Sequence, residues 1–75
     1  MRTIVVNGQR CTIAPLGERD VEAGALIGEL NGRRVYRVLC LDDGDVIARN
    51  VRHEGIIEAI GRRELLADFG LVQPL

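Results

Sequence analysis

All ten basic side chains of this chain are Arg, with no Lys, and Arg33, Arg34, Arg37, Arg49, Arg52, Arg62 and Arg63 fall in its middle and end. A guanidinium is a planar fork of donors that takes a carboxylate or a phosphate two bonds at a time. The absence of Lys is expected to reflect a GC-rich genome rather than a function, although a guanidinium also suits bidentate contacts at an interface. Phosphate of a nucleic acid is the less favoured target. Asp42, Asp43, Asp45, Glu54, Glu58 and Glu64 lie among the same arginines, the formal net charge is −1, and Tyr36 and Phe69 are the only aromatic rings. A mixed-charge solvated surface accounts for that distribution as well as a polyanion track does. Arg62 and Arg63 open a segment that could serve as a recognition helix, but no helix-turn-helix pattern precedes it.

Other chemistries find little support. There is no Ser. His53 stands beside Glu54 without the HExxH spacing of a zinc protease, and neither GxGxxG nor GxxxxGK[ST] occurs. Asp42, Asp43 and Asp45 around Gly44 lack the ligand spacing of a calcium loop and read as turn chemistry. Cys11 and Cys40 fall in separate strands and read as buried, reduced thiols. No enzyme, cofactor or metal is expected.

The longest β-prone stretch is Arg33 to Val51. Val35 to Leu41 and Val46 to Val51 flank Asp-Asp-Gly-Asp, a hairpin signal. A two-residue type I′ turn at Asp43-Gly44 pairs Leu41 with Val46, Cys40 with Ile47, Leu39 with Ala48 and Val38 with Arg49, leaving Arg37 opposite Asn50. A three-residue loop would set Arg37 against Arg49, and like charges across a strand pair destabilise it. In the two-residue register both faces are apolar, with Leu39, Leu41, Val46 and Ala48 on one. Tyr36, Val38, Cys40, Ile47 and Val51 make the other, which calls for a partner.

Asn7-Gly8 marks a second hairpin, pairing Thr3 with Thr12, Ile4 with Cys11 and Val5 with Arg10; Pro15 ends it. From Asp20, a possible cap, Ala23, Leu26, Ile27 and Leu30 follow a helical period up to Asn31-Gly32. Gly24 and Gly28 oppose a helix, and the rival reading is a strand from Ala25 to Leu30. His53 to Phe69 reads as a helix with Gly61 as a possible break, Gly70 as its stop and Leu71 packing back on Leu66. Val72 to Leu75 reads as a short tail in which Pro74 forbids further regular structure.

The opening Ile-Val-Val-Asn-Gly-Gln followed by a helix resembles the start of ubiquitin-like β-grasp carriers from Thr3 to about Leu30. The ending Gln-Pro-Leu departs from the Gly-Gly tail through which such carriers conjugate, and the chain is not assigned to that family.

With 75 residues, 47% of them hydrophobic, the expectation is one domain of class α+β: a ββαββα fold with a four-stranded antiparallel sheet and two helices. The alternative is a five-stranded SH3-like β-barrel with a C-terminal helix. No apolar run reaches the roughly 20 residues that span a membrane, and the start is too short in apolar residues for a signal peptide. These features point to a cytoplasmic protein of bacterial or phage origin. The function expected is that of a non-enzymatic interaction module. It would be homodimeric through Tyr36, Val38, Cys40, Ile47 and Val51, and would contact an acidic protein partner through Arg33, Arg34, Arg37, Arg52, Arg62 and Arg63. The alternative is a nucleic-acid-binding regulator that uses the same arginines.

Overall fold

The computed structural model describes residues 2–17 and 21–75. Its strands are β1 (Arg2–Val6), β2 (Gln9–Pro15), β3 (Leu26–Glu29), β4 (Val35–Asp42), β5 (Asp45–Asn50), β6 (Ile57–Ile60) and β7 (Phe69–Pro74), with one helix, α1 (Arg62–Asp68). All the strands join one sheet in the order β1-β2-β7-β3-β4-β5-β6, every neighbouring pair antiparallel.

Both hairpins turn where the sequence places them. Asn7 and Gly8 have φ of 49° and 81°, Asp43 and Gly44 of 49° and 86°, the paired positive values of a type I′ turn. The first hairpin has the expected register, with Thr3 opposite Thr12, Ile4 opposite Cys11 and Val5 opposite Arg10. The second follows its expected register only through Leu41–Val46 and Cys40–Ile47. A bulge at Leu39 then shifts the ladder, so that Val38 faces Ala48, Arg37 faces Arg49 and Tyr36 faces Asn50. The extra residue turns Tyr36 and Val38 onto the same face as Val46 and Ala48. The like-charged pair that argued for the other register is therefore present. Arg37 is drawn off it by donating from Nη1 to the Gly24 carbonyl at 3.0 Å.

The expected ββαββα fold with two helices is overturned. Asp20 lies outside the described residues, but Leu26–Glu29 is a strand, as the rival reading had it, paired with β4 on one side and β7 on the other. Gly24 sits at φ 91°, outside helical geometry, and Gly28 is a strand residue packed close to Ile13 and Val72. With this helix gone, the likeness to β-grasp carriers ends at the first hairpin. The second expected helix shrinks to α1, because Ile57–Ile60 pairs with β5 and the helix begins only after Gly61. Gly70 is no helix stop, and most of the expected tail, Val72 to Pro74, is the second half of β7. Its Pro74 is tolerated at the strand's last position, opposite Cys11.

Side chains alternate between two apolar clusters on opposite sheet faces. Ile27, paired with Tyr36 and Leu71, lies in the larger cluster with Val38, Val46, Ala48, Ile60 and Phe69, which Leu65 of α1 and the flanking Leu16 and Val21 cover. Gly28, paired with Val35 and Gly70, lies on the other face, where Val6, Cys11, Ile13, Val35 and Val72 form the second cluster. For Val5 to accept from Arg52 and for Ile4 to line one cleft with Val35, the sheet must curl until β1 returns over the start of β4. That curl is what remains of the barrel alternative. The sheet itself has seven strands and stays open, and the helix is internal rather than C-terminal.

Candidate functional site

The curl brings together residues far apart in sequence. Arg2 on β1, Arg33 and Arg34 in the turn before β4, and Arg52 just after β5 line one open cleft of about 350 Å³, floored by Ile4, Ile13 and Val35. Among the described residues none of the lining side chains is acidic.

Backbone carbonyls, which carry no net charge, hold two of these guanidiniums. Arg2 Nη1 donates to the carbonyls of Glu29 and Leu30 at 3.0 and 3.1 Å. Arg52 spans the opening, from the Arg33 carbonyl at 3.1 Å to the Val5 carbonyl at 3.3 Å. Both side chains are thereby fixed, with no ion pair among the described residues and with N–H donors to spare, since a guanidinium has five. Arg33 is exposed and makes no side-chain hydrogen bond or ion pair among the described residues.

Arg34 is the compensated member. Its Nη2 meets Glu29 Oε2 at 3.0 Å while its backbone N–H donates to Glu29 Oε1 at 2.8 Å. Its Nη1 reaches the Tyr36 hydroxyl at 3.3 Å and Glu58 at 3.8 Å. The hydrogen bond from Arg34 holds the Glu29 carboxyl below the usual carboxylate range. The Tyr36 hydroxyl donates to Glu58 Oε2 at 2.6 Å, and burial, then this bond, push the phenol above its ordinary value. A polar network thus anchors one wall of the cleft to the sheet.

The remaining expected arginines lie elsewhere. Arg37 and Arg49 flank a separate shallow pocket with Asn7, Leu39 and Glu54. Arg62 and Arg63 start α1, where Arg62 borders an apolar groove containing Leu41, Leu65 and Leu66. Arg2, which the sequence reading passed over, is the addition. No local signal could have found it, because only the curl of β1 carries it to residues more than thirty positions away.

The expected self-contact face is dispersed. Tyr36 and Val38 are 0% and 1% exposed in the larger cluster, whereas Cys40 is exposed and Ile47 half-buried. Val51 is half-buried against the second cluster. The bulge at Leu39 is the cause, since it separates Tyr36 and Val38 from the face of Cys40 and Ile47. Cys11 is buried as expected and Cys40 is not; both are free thiols. Asn50, which ends β5, is buried and takes the backbone N–H groups of Arg52 and His53 on its Oδ1 at 2.9 and 3.1 Å. Among the described residues no three His, Cys, Asp or Glu side chains stand together as a metal site, and no helix is long and apolar enough to cross a membrane.

Comparison with protein-family models, with curated proteins and with solved structures finds no match to this chain.

Proposed function

We propose that this chain is a small non-enzymatic binding module that holds an acidic segment of a protein partner in the arginine cleft. One observation carries the reading: Arg2, Arg33, Arg34 and Arg52 converge on a cleft with no acidic side chain in its described wall, in a chain whose net charge is −1. Like charges gathered on one concave surface raise the local potential and draw in an oppositely charged ligand. Pre-held guanidiniums lose little freedom on meeting a carboxylate.

The nucleic-acid alternative has less behind it. Single-strand binding relies on exposed aromatic rings as stacking platforms. Tyr36 and Phe69 are instead both buried and lean on each other, ring centres 5.9 Å apart.

Fluorescence anisotropy with a labelled Glu-rich peptide and a single-stranded oligonucleotide of equal charge tests the reading. The peptide is expected to bind, and Arg33→Glu to weaken it about tenfold or more while the thermal midpoint stays put, since that side chain is exposed and unbonded. Arg37→Glu, outside the cleft, should leave binding nearly unchanged. Tighter binding of the oligonucleotide than of the peptide, or equal losses from both variants, would overturn the reading.

A further inference from the structure

We propose that the acidic segment the arginine cleft takes is the β4–β5 hairpin tip of a second copy of this chain, joining copies head to tail. The inference rests on the acidic-ligand reading of the cleft and names its occupant.

The two ends of one strand carry it. β4 begins at Val35, in the cleft wall, and ends at Asp42, where the chain turns through Asp43 and Gly44 into Asp45. Eight strand residues set these ends about 23 Å apart at a rise of about 3.3 Å per residue. The tip therefore cannot reach the cleft of its own molecule.

The turn itself explains Asp43, whose φ of 49° suits a short side chain that can bond locally. It does not explain Asp42 and Asp45. These two stand directly opposite each other across the ladder, and like charges so placed weaken a strand pair. Among the described residues no ion pair relieves Asp42, Asp43 or Asp45. Arg62 borders the groove beside Gly44 without closing such a pair. All four tip residues are exposed. Among the described residues one molecule thus displays two charge clusters of opposite sign, a concave one in which only Arg34 is ion-paired and a projecting one with no ion pair. Seating the tip of one copy in the cleft of the next relieves both. A contact between two different surfaces is heterologous, so it either closes into a ring or continues as a filament.

Sedimentation velocity with the full chain tests this, using three proteins: wild type, a cleft variant (Arg33→Glu) and a tip variant (Asp42→Lys with Asp45→Lys). Circular-dichroism melts establish that both variants fold. Wild type is expected to form species larger than a dimer at about 25 mM salt, and its association to weaken about tenfold or more by about 300 mM as charges are screened. Each variant alone should be a monomer.

An equimolar mixture of the two variants should give a one-to-one complex and nothing larger. The intact tip of the cleft variant then meets the intact cleft of the tip variant, and both outer ends are dead. A two-fold contact would instead stop wild type at a dimer. The proposal falls if wild type stays monomeric at low salt, if the mixture stays monomeric, or if a salt-insensitive dimer persists in both variants. The last would place the contact on apolar surface, such as the outer edge of β6 beside Ile57. Should wild type stay monomeric while the Glu-rich peptide still binds in an Arg33-dependent way, only the self-contact is lost. If neither peptide nor second copy is held, the cleft reading falls with it.

Discussion

Ile13 occupies space that two glycines leave open. Gly28 and Gly70 face each other across β3 and β7, and Ile13 comes close to both. A Cβ built at Gly70 would run into the Ala14 carbonyl oxygen and come within 2.7 Å of Ile13 Cγ2. One built at Gly28 meets only side-chain ends, the nearest Ile13 Cδ1 at 3.0 Å. A side-chain end can swing aside, whereas a backbone carbonyl in a central ladder cannot move without breaking pairing. Gly70→Ala is therefore expected to cost about 2 to 3 kcal/mol as overpacking, a fall of about 10 to 20 °C in midpoint for a chain of this size. Gly28→Ala should cost about 1 kcal/mol or less, since the lost freedom of the unfolded chain offsets part of the crowding. Calorimetry on the two variants gives the comparison, and equal losses would show that the Ala14 carbonyl yields as easily as a methyl group.

The same contrast between local and distant causes separates what the sequence reveals about the elements from what it conceals. Both hairpins were legible because Asn-Gly and Asp-Gly dictate the turn within four residues, whatever surrounds them. The bulge at Leu39 was not, since the shift is set by which of Tyr36 and Leu39 the core accepts. Ala23, Leu26, Ile27 and Leu30 fit a helical period, but Ile27 is buried between Tyr36 and Leu71, partners absent from any local window. The arginine cleft was half legible: Arg33, Arg34 and Arg52 stood out as candidates, while Arg2 needed the curl. Most concealed was β7, whose first residues read as a helix end and its glycine stop and whose last read as a short tail because of Pro74. It lies between β2 and β3 and joins the first hairpin to the rest of the sheet. Removing residues 72–75 should therefore strip Val72 from the second cluster and leave Cys11 to Ile13 of β2 paired on the β1 side alone. The expected outcome is loss of the cooperative thermal transition, with weak dispersion in amide proton spectra. A frayed tail would instead leave both nearly as in the full chain.

Across the whole molecule, the network beside the cleft sets how stability depends on pH, and the two titrating groups act at opposite ends of the scale. Glu29 has a carboxyl held below its ordinary 4.5 in the folded chain, first by the hydrogen bond from Arg34. The unfolded chain then binds more protons in that window, so stability is fully present above about pH 4.5 and is lost as pH falls through the folded value. The Arg34 side chain is 54% exposed, so solvent screening keeps this contribution small. Tyr36 has the reverse sign. Its phenol is raised above 10.0, chiefly by burial. The folded chain then keeps a proton that the unfolded chain gives up, and stability present below about pH 10 is lost as pH rises towards the folded value. This is the only tyrosine and there is no Lys, so few other groups titrate in that range. Urea midpoints measured from pH 3 to pH 11 should fall at both ends. Glu29→Gln should make the acid limb slightly shallower and leave the alkaline one, while Tyr36→Phe should flatten the alkaline limb and leave the acid one. An alkaline limb that survives Tyr36→Phe would mean that neither burial nor the bond from its hydroxyl to Glu58 holds the proton in the folded chain. Such a result would also loosen the anchor that ties the Arg34 wall of the cleft to β6.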